Sequence, residues 1–585
     1  MQTFLTHIDY KTQKLSTIEK SDNIEIFENN EYFILLNGNL TNKDVTTTHL
    51  LKKYQQEGIS FIKSLEGNFS LVLHDKQKEE LFISRDKVGI KPLYFTITKN
   101  SIICGTHLKK FQQIKELTLT INPSALANYM QFGFVLQPNT IFHDCYKVES
   151  GSYIQFNLSS QTHNSIKYWT LESNYKAEKS VNNEVSYLQK AEKCLQESVE
   201  KSTRDCNFGL SLSGGYDSAT LVAMAQSQSD KKVDSFTIGF HENEINEAPY
   251  AKNVAKHLGT NHHEYYFTAK DALELIPKMC HVYDEPFADH ASSPTMLTAQ
   301  LLKKNNLEKL ISGDGGDEVF ATAEDVHFFE RLQNSSHLLR RSVIKPLKLI
   351  KPEKIPYLKN YNNFPKKYHK LLQILSSKNI PKMILSRNTL YLENELKSQI
   401  KGYKEPILTT FEDIEFPKHA EAVDQIIGTY FKTTMIDGEL VKSYSAMNYE
   451  NISIAMPYLD TQLIEQMAKV PSSIKIKNGI KKYLLKEISY KYIPKDLMER
   501  PKCGFDIPFS SWMKHELKEI LYSQINSKRL DKDNIFYTSS ILNIRDQFFA
   551  GNDAYKYKLW RIFIFQLWYE EFFSKTLKDK SSKLV

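Results

Sequence analysis

The stretch Ser213-Gly214-Gly215-Tyr216-Asp217-Ser218 decides the fold of the larger part of this chain. It follows a strand-like run, Phe208 to Leu212, and precedes a helix-like run, Ala219 to Gln226. Two adjacent glycines allow a tight turn with outward N–H groups, and the positive end of the following helix attracts an anion. The stretch therefore predicts a cradle for phosphate groups, with Asp217 placed to hold the Mg²⁺ of a nucleotide. An ordinary strand-to-helix turn is the alternative.

Strand-like and helix-like runs alternate beyond this turn. Such alternation predicts an α/β domain with a doubly wound parallel sheet, in which ligands bind beyond the carboxyl ends of the strands. The predicted strands are Phe208–Leu212, Val233–Phe240, His263–Phe267 and a strand ending at Leu310–Ser312, and the predicted helices are Ala219–Gln226, Pro249–Leu258, Ala269–Asp284 and Thr295–Asn305.

A second glycine-rich turn, Ser312 to Phe320, falls at the end of another predicted strand. Its three glycines bring backbone close to a ligand, while Asp314, Asp317 and Glu318 supply hard oxygen ligands or a proton acceptor. The turn lacks the residue spacing of an EF-hand, so calcium binding is a poor explanation. Both glycine-rich turns are thus expected at one edge of the sheet.

The first 170 residues differ from this pattern, because they contain short alternating or apolar runs separated by Asn, Gly and Lys. They predict an antiparallel, layered α+β sandwich. We expect one domain over residues 1–165, a linker over 166–182 and a second domain over 183–575. Within the second domain, residues 321–428 form a Lys-rich helical elaboration, and residues 576–585 form a flexible tail.

The composition is that of an ordinary globular chain of 585 residues, with 41% hydrophobic residues, 25% charged residues and a net charge of +7. The six cysteines are dispersed without metal-site spacing, which favours reduced thiols. No secretory leader or span of about 18 apolar residues is present, so we expect a cytoplasmic location and no membrane partner. The basic clusters Lys345–Lys359 and Lys575–Lys583 favour solvated segments over a nucleic-acid site.

Five motifs in one order resemble the synthetase domain of the asparagine synthetase family. The first resembles the pyrophosphate loop shared by the wider group of N-type ATP pyrophosphatases, and the other four resemble the asparagine synthetase branch. The motifs are Ser213 to Ser218, Tyr283 to Asp289, Ser312 to Phe320, Pro457 to Asp460 and Arg500 to Phe505.

The resemblance implies ATP and Mg²⁺ as cofactors and a carboxylate that is activated as its adenylate. It assigns Asp217 and Asp317 to the metal and pyrophosphate, and Lys502 to the charge on the α-phosphate and the later oxyanion. Asp314 is the candidate general base, with a hydrogen-bonding or metal role as the alternative. The implied nucleotide-binding residues are Ser213, Gly214, Gly215, Asp217, Ser218, Ile238, Ser312 and Gly313.

The first domain resembles the family's glutaminase domain, an Ntn-type fold, through Leu65 to Phe69 and Phe82 to Tyr94. The family's nucleophile is a cysteine at position 2, where this chain has Gln2. A carboxamide cannot replace a thiolate nucleophile. The family's Asn-Gly-Glu is here Asn37-Gly38-Asn39, and its glutamine-binding turn is replaced by Thr46 to His49. We therefore expect a degenerate glutaminase domain without a nucleophile.

The acceptor side also departs from the family. Where the family has Leu-Glu-x-Arg before its Pro-Phe-Leu-Asp motif, this chain has the uncharged Ile452-Ser453-Ile454-Ala455. Three functions remain open: asparagine synthesis, a specialised amidotransferase or a peptide or lactam cyclase acting on a natural-product or surface-glycan precursor, and a non-catalytic scaffold. The expected partners are a small-molecule or peptide carboxylate and ammonia or an amine, without nucleic acid, and a homodimer is a candidate assembly.

Overall fold

A computed structural model describes residues 3–41, 45–175, 179–204, 206–241, 246–355, 364–499 and 507–581. Its strands form two antiparallel sheets and one parallel sheet. In chain order they are β1 (Phe4–Asp9), β2 (Leu15–Lys20), β3 (Glu25–Glu28), β4 (Tyr32–Leu40), β5 (Gly67–Asp75), β6 (Glu80–Arg85), β7 (Tyr94–Ile97), β8 (Ser101–Gly105), β9 (Cys145–Lys147), β10 (Ser152–Asn157), β11 (Thr162–Lys167), β12 (Phe208–Ser211), β13 (Asp234–Gly239), β14 (Asn261–Tyr266), β15 (Lys309–Ile311) and β16 (Ser453–Ala455).

The N-terminal part is a sandwich of two antiparallel sheets. One sheet has the order β2-β1-β8-β7-β9 and the other β11-β10-β6-β5-β4-β3. Apolar side chains from both sheets, such as Phe4, Ile102, Phe33 and Val72, form one buried cluster between them. The outer face of the six-stranded sheet is covered by helix Thr47–Glu57. The predicted layered sandwich is confirmed, because alternate strand residues bury one face against the second sheet.

The remaining α-helices lie after the first sandwich strands or in the second part of the chain. They span Pro123–Phe132, Glu184–Thr203, Tyr216–Ser227, Ala248–Leu258, Ala269–Leu275, Met279–Val282, Ser292–Lys304, Gly316–Val319, Val326–Asn334, His337–Leu347, Phe364–Ser376, Ile380–Asn388, Glu393–Gln399, Thr410–Asp413, Ala422–Tyr430, Leu440–Tyr449, Thr461–Ala468, Ser472–Lys475, Tyr483–Ser489, Lys495–Met498, Phe509–Lys514, Lys518–Gln524, Ser527–Asp533, Thr538–Phe549 and Lys556–Ser581.

The second part of the chain is built on a parallel sheet of order β14-β13-β12-β15-β16. All four strand pairs are parallel, which confirms the predicted doubly wound domain. The strand β16 was missing from the sequence prediction, because three residues give too short a pattern. It adds to β15 at the edge of the sheet, and the Ser312 N–H donates to the Ala455 carbonyl at 2.9 Å.

The C-terminal helix Lys556–Ser581 joins the two parts of the molecule. Its buried residues Trp560 and Phe563 belong to one apolar cluster with Leu5 and Ile103 of the five-stranded antiparallel sheet. The indole of Trp568 donates to the Asp284 carbonyl at 3.0 Å. The aromatic run near the C-terminus therefore packs in the core.

The segment between the two domains packs against the second one. Leu171 and Tyr175 are buried in the cluster that surrounds helix Tyr216–Ser227. The Trp169 indole donates to Glu465 at 3.0 Å. Among the residues described, no helix combines the length and apolarity that a bilayer crossing needs.

Candidate active site

The first glycine-rich turn joins β12 to helix Tyr216–Ser227 at the carboxyl edge of the parallel sheet. Gly214 has a φ of +77°, a conformation that glycine adopts without strain. The Ser213 N–H donates to the Ser218 hydroxyl at 3.0 Å, and the Gly215 N–H donates to the Ser213 hydroxyl at 3.3 Å. These bonds hold the turn at the N-terminus of the helix, where an anion is stabilised by the helix dipole.

The second glycine-rich turn lies directly beside the first. A Cβ atom added to Gly316 would meet Asp217 Oδ1 at 2.2 Å, so only glycine allows the two loops to approach this closely. Gly315 has a φ of +90°, and a Cβ there would meet Leu459 at 2.4 Å. The predicted residues Ser213, Asp217 and Gly313 are thus brought together, because the carboxyl ends of β12 and β15 are neighbours.

Asp217 and Asp317 share one buried cation, Lys482. The Lys482 Nζ lies 2.7 and 2.5 Å from the two carboxylate oxygens of Asp217, and 2.5 Å from Asp317 Oδ1. Burial disfavours the charged form of Lys482, but the carboxylates of Asp217 and Asp317 outweigh it and raise the pKa of the lysine. The lysine is therefore a fixed positive charge beside the first glycine-rich turn, Ser213 to Ser218, which we call the phosphate turn.

Lys482 was not predicted from the sequence. It has a φ of +55° at the N-cap of helix Tyr483–Ser489, and its N–H donates to the Ala321 carbonyl at 3.4 Å. A cation at a helix N-terminus is unfavourable with the helix dipole. A lysine that stands between a glycine turn, Gly479, and a helical run is therefore unusual. This pattern is the sequence signal that could have marked Lys482 as functional.

A second contact positions Asp217 in the first turn of helix Tyr216–Ser227. The Tyr458 hydroxyl donates to the Asp217 carbonyl at 2.9 Å, and Tyr458 is fully buried. Tyr458 belongs to the predicted motif Pro457 to Asp460, which therefore acts by supporting the phosphate turn. Asp460 itself caps helix Thr461–Ala468 and pairs with Lys201 at 3.0 Å.

Asp314, the predicted general base, lies near the start of the second glycine-rich turn. Its Oδ2 accepts a hydrogen bond of 2.7 Å from the Ser443 hydroxyl. The neighbouring Lys442 contacts Asp289 at 3.3 Å and also pairs with Glu439. Burial would lower the pKa of Lys442, but Asp289, Glu439 and Asp314 raise it well above its usual value.

Glu439 and Lys442 were also missed by the sequence analysis. They lie where the π-helix Phe431–Glu439 meets helix Leu440–Tyr449, and helix Ala422–Tyr430 precedes both. A π-helical segment often marks a functional position, because it turns side chains out of the α-helical register. No motif of glycines or paired carboxylates in the sequence indicates a role for these two residues.

Glu318 completes the acidic group of the second turn. Burial, followed by the negative charge of Asp317, raises the pKa of Glu318 to about 8. The glutamate therefore accepts or releases a proton near neutral pH, unlike an exposed carboxylate.

Two predicted nucleotide residues lie at the same edge of the sheet. Ile238 is partly buried near the end of β13, and Ser312 follows β15. Lys502 and Gln2 lie outside the described residues. Asp284 and Glu285, from the motif Tyr283 to Asp289, bind the first domain instead: Asp284 contacts His107 at 3.1 Å and Glu285 contacts Lys147 at 3.0 Å.

No group of three or more His, Cys, Asp or Glu residues suited to a metal ion is present among the residues described. The predicted metal pair, Asp217 and Asp317, nevertheless fits Mg²⁺ in a nucleotide site. Mg²⁺ is commonly held there by one or two carboxylates together with substrate phosphates. The side chain of Asp317 is 43% exposed and that of Asp217 is 23% exposed beside the phosphate turn, so both can reach a ligand.

In the first domain, residues at or near the expected glutamine-binding positions make contacts that hold the fold. The Thr46 hydroxyl caps helix Thr47–Glu57 by accepting the His49 N–H at 3.4 Å. A Cβ on Gly38 would meet the Asn68 carbonyl at 2.0 Å, so Gly38 permits the close pairing of β4 and β5. Asp86 accepts the N–H groups of Gly89 and Ile90 at 2.6 and 3.0 Å, which fixes the turn after β6.

The fold and the site together define a two-domain protein of the amidotransferase type, with an Ntn-type glutaminase fold followed by an ATP-pyrophosphatase fold. Residues 190–570 match the family described as Asparagine synthase, and residues 28–169 match the Glutamine amidotransferase domain. The chain belongs to the asparagine synthase family, whose members are ATP-dependent ligases.

Several curated proteins are similar over long stretches. Glutamine-hydrolyzing asparagine synthetase 1 of Bacillus subtilis is 24% identical over 96% of this chain and 89% of its own length. Glutamine-hydrolyzing asparagine synthetase 2 of the same organism is 26% identical over 53% of this chain and 46% of its own length. The Penicillium rubens protein named Amidase chyE is 22% identical over 78% of this chain and 72% of its own length.

Proposed function

We propose that this protein is an AMP-forming carbon–nitrogen ligase. A carboxylate oxygen of the substrate attacks the α-phosphate of ATP, so that pyrophosphate leaves and an acyl-adenylate forms. The nitrogen of ammonia or an amine then attacks the acyl carbon, loses a proton and expels AMP, which leaves an amide. The observation that carries this proposal is Lys482 held between Asp217 and Asp317, beside the phosphate turn at Gly214.

The charges of the site suit the first step. The N–H groups of the turn and the N-terminus of helix Tyr216–Ser227 supply partial positive charge for pyrophosphate. Lys482 adds a full positive charge that cannot move away, because its helix cap and its two ion pairs fix it. Groups that are already oriented toward developing charge stabilise a transition state without reorganisation.

Mg²⁺ would be held by Asp217 and Asp317 together with the phosphates, and it would supply charge neutralisation on the leaving pyrophosphate. Lys482 would remain beside the two carboxylates and add its charge to that of the metal. The family resemblance adds Lys502 as the cation at the α-phosphate.

Asp314 is the proposed proton acceptor in the second step. It shares a loop with Asp317, and its hydrogen bond from Ser443 orients one carboxylate oxygen. Asp314 is partly exposed, and a general base requires such access within hydrogen-bond reach of the nucleophile.

The acceptor substrate is proposed to differ from aspartate. Aspartate carries two carboxylates and an ammonium group, which a selective pocket must pair. Ser453 and Ala455 contribute no charge, and the Ser453 hydroxyl donates to the Glu308 carbonyl at 2.9 Å. Lys442 already binds Asp289 and Glu439. A specialised amidotransferase or cyclase that acts on a larger carboxylate is therefore the second candidate function.

Ammonia or an amine, and not glutamine, is proposed as the nitrogen donor. Thr46 is used as a helix cap, and Asn39 replaces the carboxylate that the family resemblance places in the glutamine pocket. An uncharged Asn39 would leave the glutamine ammonium without its ion pair, which costs on the order of 1–3 kcal/mol.

Pyrophosphate release tests the proposal. The full-length protein is incubated with ATP, Mg²⁺ and ammonium, with aspartate as the first carboxylate and a panel of larger carboxylates after it. Asp217→Asn is expected to abolish release, whereas Asp230→Asn, at an exposed position just beyond the same helix, is expected to retain it.

Three results would contradict the proposal or part of it. Carboxylate-dependent release that persists in Asp217→Asn would remove the assigned role of the turn. The absence of carboxylate-dependent ATP turnover with every substrate would favour a non-catalytic scaffold. Glutamine that replaces ammonium with equal efficiency would refute the proposed loss of glutamine hydrolysis.

A further inference from the structure

The positive charge of this protein is concentrated in one short segment. Residues 337–378 contain eleven Lys or Arg residues and one acidic residue, Glu353, which gives a net charge of +10. The whole chain has a net charge of only +7, so the other residues together carry −3. Where part of such a charge excess lies on the surface, it attracts an anionic partner.

Helix His337–Leu347 is held by one face and shows the other to solvent. Its buried residues Arg340 and Ile344 lie four residues apart, and the Arg340 guanidinium donates to the carbonyls of Leu375 and Ser377 at 3.3 and 3.0 Å. The Tyr368 hydroxyl donates to the Leu347 carbonyl at 2.6 Å. The helix is thus fastened to helix Phe364–Ser376, and its outer side is presented to solvent.

The outer side is apolar as well as basic. We call the exposed side chains of residues 338–355 the basic surface. Its lysines are Lys345, Lys348, Lys351 and Lys354. Between them lie aliphatic side chains with high exposed fractions, namely Leu338 at 76%, Val343 at 59%, Leu349 at 81%, Ile350 at 42% and Ile355 at 38%.

We propose that the basic surface docks this protein on the surface of an anionic lipid bilayer. Lysines beside exposed aliphatic side chains are the composition of an interfacial helix, which inserts its apolar residues at the headgroup boundary. Leu338, Ser342 and Lys345 share the face of the helix opposite Arg340 and Ile344, so aliphatic and basic side chains reach one plane together.

A nucleic acid fits this surface less well. Binding of single-stranded nucleic acid uses aromatic side chains for base stacking, together with lysine and arginine at phosphates. The exposed apolar residues of the basic surface are all aliphatic. The sequence predicts no membrane partner because it contains no spanning segment, and the proposed docking departs from that expectation. Docking at the bilayer surface needs no spanning segment, so it is compatible with the lack of any bilayer-crossing helix among the described residues.

A broad cleft extends the basic character of this region. It has a volume of about 870 Å³ and is lined by Lys348, Lys378 and Lys382, together with Glu393 and Glu412. Lys348 also belongs to the basic surface, so the two features are continuous. The cleft thereby offers a place for headgroup phosphates beside the inserted aliphatic residues.

Vesicle flotation of the full-length protein tests the proposal. Vesicles of phosphatidylcholine alone are compared with vesicles that contain about one third phosphatidylglycerol, at low and high salt. Binding is expected only to the anionic vesicles and is expected to weaken at high salt, since salt screens exposed charges.

Two variants separate the charge from the apolar contact. Lysine at an anionic membrane contributes roughly a fivefold gain in binding, so Lys345→Gln/Lys348→Gln/Lys351→Gln is expected to lower the partition coefficient about a hundredfold. Leu349→Ser/Ile350→Ser is expected to lower it at least about tenfold, because two aliphatic side chains no longer leave water. The matched control Lys11→Gln/Lys14→Gln/Lys20→Gln, at exposed positions of the first domain, is expected to bind as the unaltered protein does.

Several outcomes would overturn the proposal. Equal recovery with neutral and anionic vesicles, or no recovery with either, would do so. So would normal binding by Leu349→Ser/Ile350→Ser, because the bound surface would then be purely electrostatic. Tighter binding to RNA than to anionic vesicles, or self-association that the triple lysine variant abolishes, would assign the basic surface to another partner. Circular dichroism of each variant confirms that the fold is retained.

Discussion

Replacement of Lys482 by glutamine tests the core of the candidate site. The change removes one positive charge but retains a long polar side chain at the helix cap. Lys482 is 7% exposed and contacts both Asp217 and Asp317 within 2.7 Å, so the variant leaves two carboxylates facing each other.

The catalytic effect is expected to exceed the effect on stability. Loss of a preorganised group that neutralises developing charge typically lowers kcat by about a hundredfold to a thousandfold, or roughly 3–4 kcal/mol. A fully buried ion pair that loses one partner costs about 3–5 kcal/mol of stability. Asp217 and Asp317 are 23% and 43% exposed, so water compensates part of that loss and we expect about 1–2 kcal/mol.

The assay is carboxylate-dependent pyrophosphate release at saturating ATP, with unfolding by urea measured in parallel. Lys481→Gln is the matched control, because Lys481 is the preceding lysine, is 43% exposed and contacts Glu324 at 3.6 Å. Activity of Lys482→Gln within about threefold of the unaltered protein would refute the assigned role. Equal losses in both variants would show that the loop, and not the cation, is responsible.

Three further predictions follow from particular contacts. Gly316→Ala is expected to reduce pyrophosphate release more than about a hundredfold, because its Cβ would meet Asp217 Oδ1 at 2.2 Å and displace the carboxylate; nearly normal kcat would contradict this. Burial lowers the pKa of His74 from 6.5 to about 4, because the folded protein favours the neutral imidazole. The free energy of unfolding is therefore unaffected by this group above pH 6.5 and falls by about 3 kcal/mol as the pH drops toward 4. Urea titrations should show that His74→Leu loses this pH dependence, and an unchanged dependence would exclude His74 as its source. Lys147→Met leaves Glu285 buried without its cation at 3.0 Å, so we expect a loss of about 3–5 kcal/mol in the free energy of unfolding, and a loss below about 1 kcal/mol would contradict it.

Local sequence patterns predicted the framework of the site. The turn at Ser213 and the turn at Ser312 each follow a short apolar run, and a parallel sheet necessarily places such turns at one edge. The strands β12, β13, β14 and β15 were therefore identified with their predicted ends within two residues of the observed ones. In the sandwich, the strands β4, β5, β6, β7, β8 and β10 contain the alternating or apolar runs that predict an antiparallel layered fold.

The residues that were missed come from distant parts of the chain. Lys482 reaches Asp217 across 265 positions of sequence, and no local pattern connects the two. Glu439 and Lys442 lie in a largely buried helical segment whose π-helical turn depends on tertiary packing. The exposed strands β2, β3 and β11 have few buried residues, so their patterns are weak.

The same reasoning explains why the substrate was not identified. In the proposed function, the phosphate turn and Lys482 bind the part of the reaction that all adenylating ligases share. In the same proposal, selectivity would depend on Ser453 and Ala455, where this chain lacks the charges of the family motif, and on the group around Lys442. The structure therefore supports the chemistry more directly than the choice of carboxylate.

The products formed from ATP test the central claim most directly. The full-length protein is incubated with ATP, Mg²⁺, ammonium and each carboxylate of the panel, and the nucleotide products are separated by ion-exchange chromatography. We predict equal amounts of AMP and pyrophosphate that depend on the carboxylate and disappear in Lys482→Gln and Asp217→Asn. Formation of ADP and phosphate, or carboxylate-dependent AMP that persists in both variants, would contradict the proposed adenylating site.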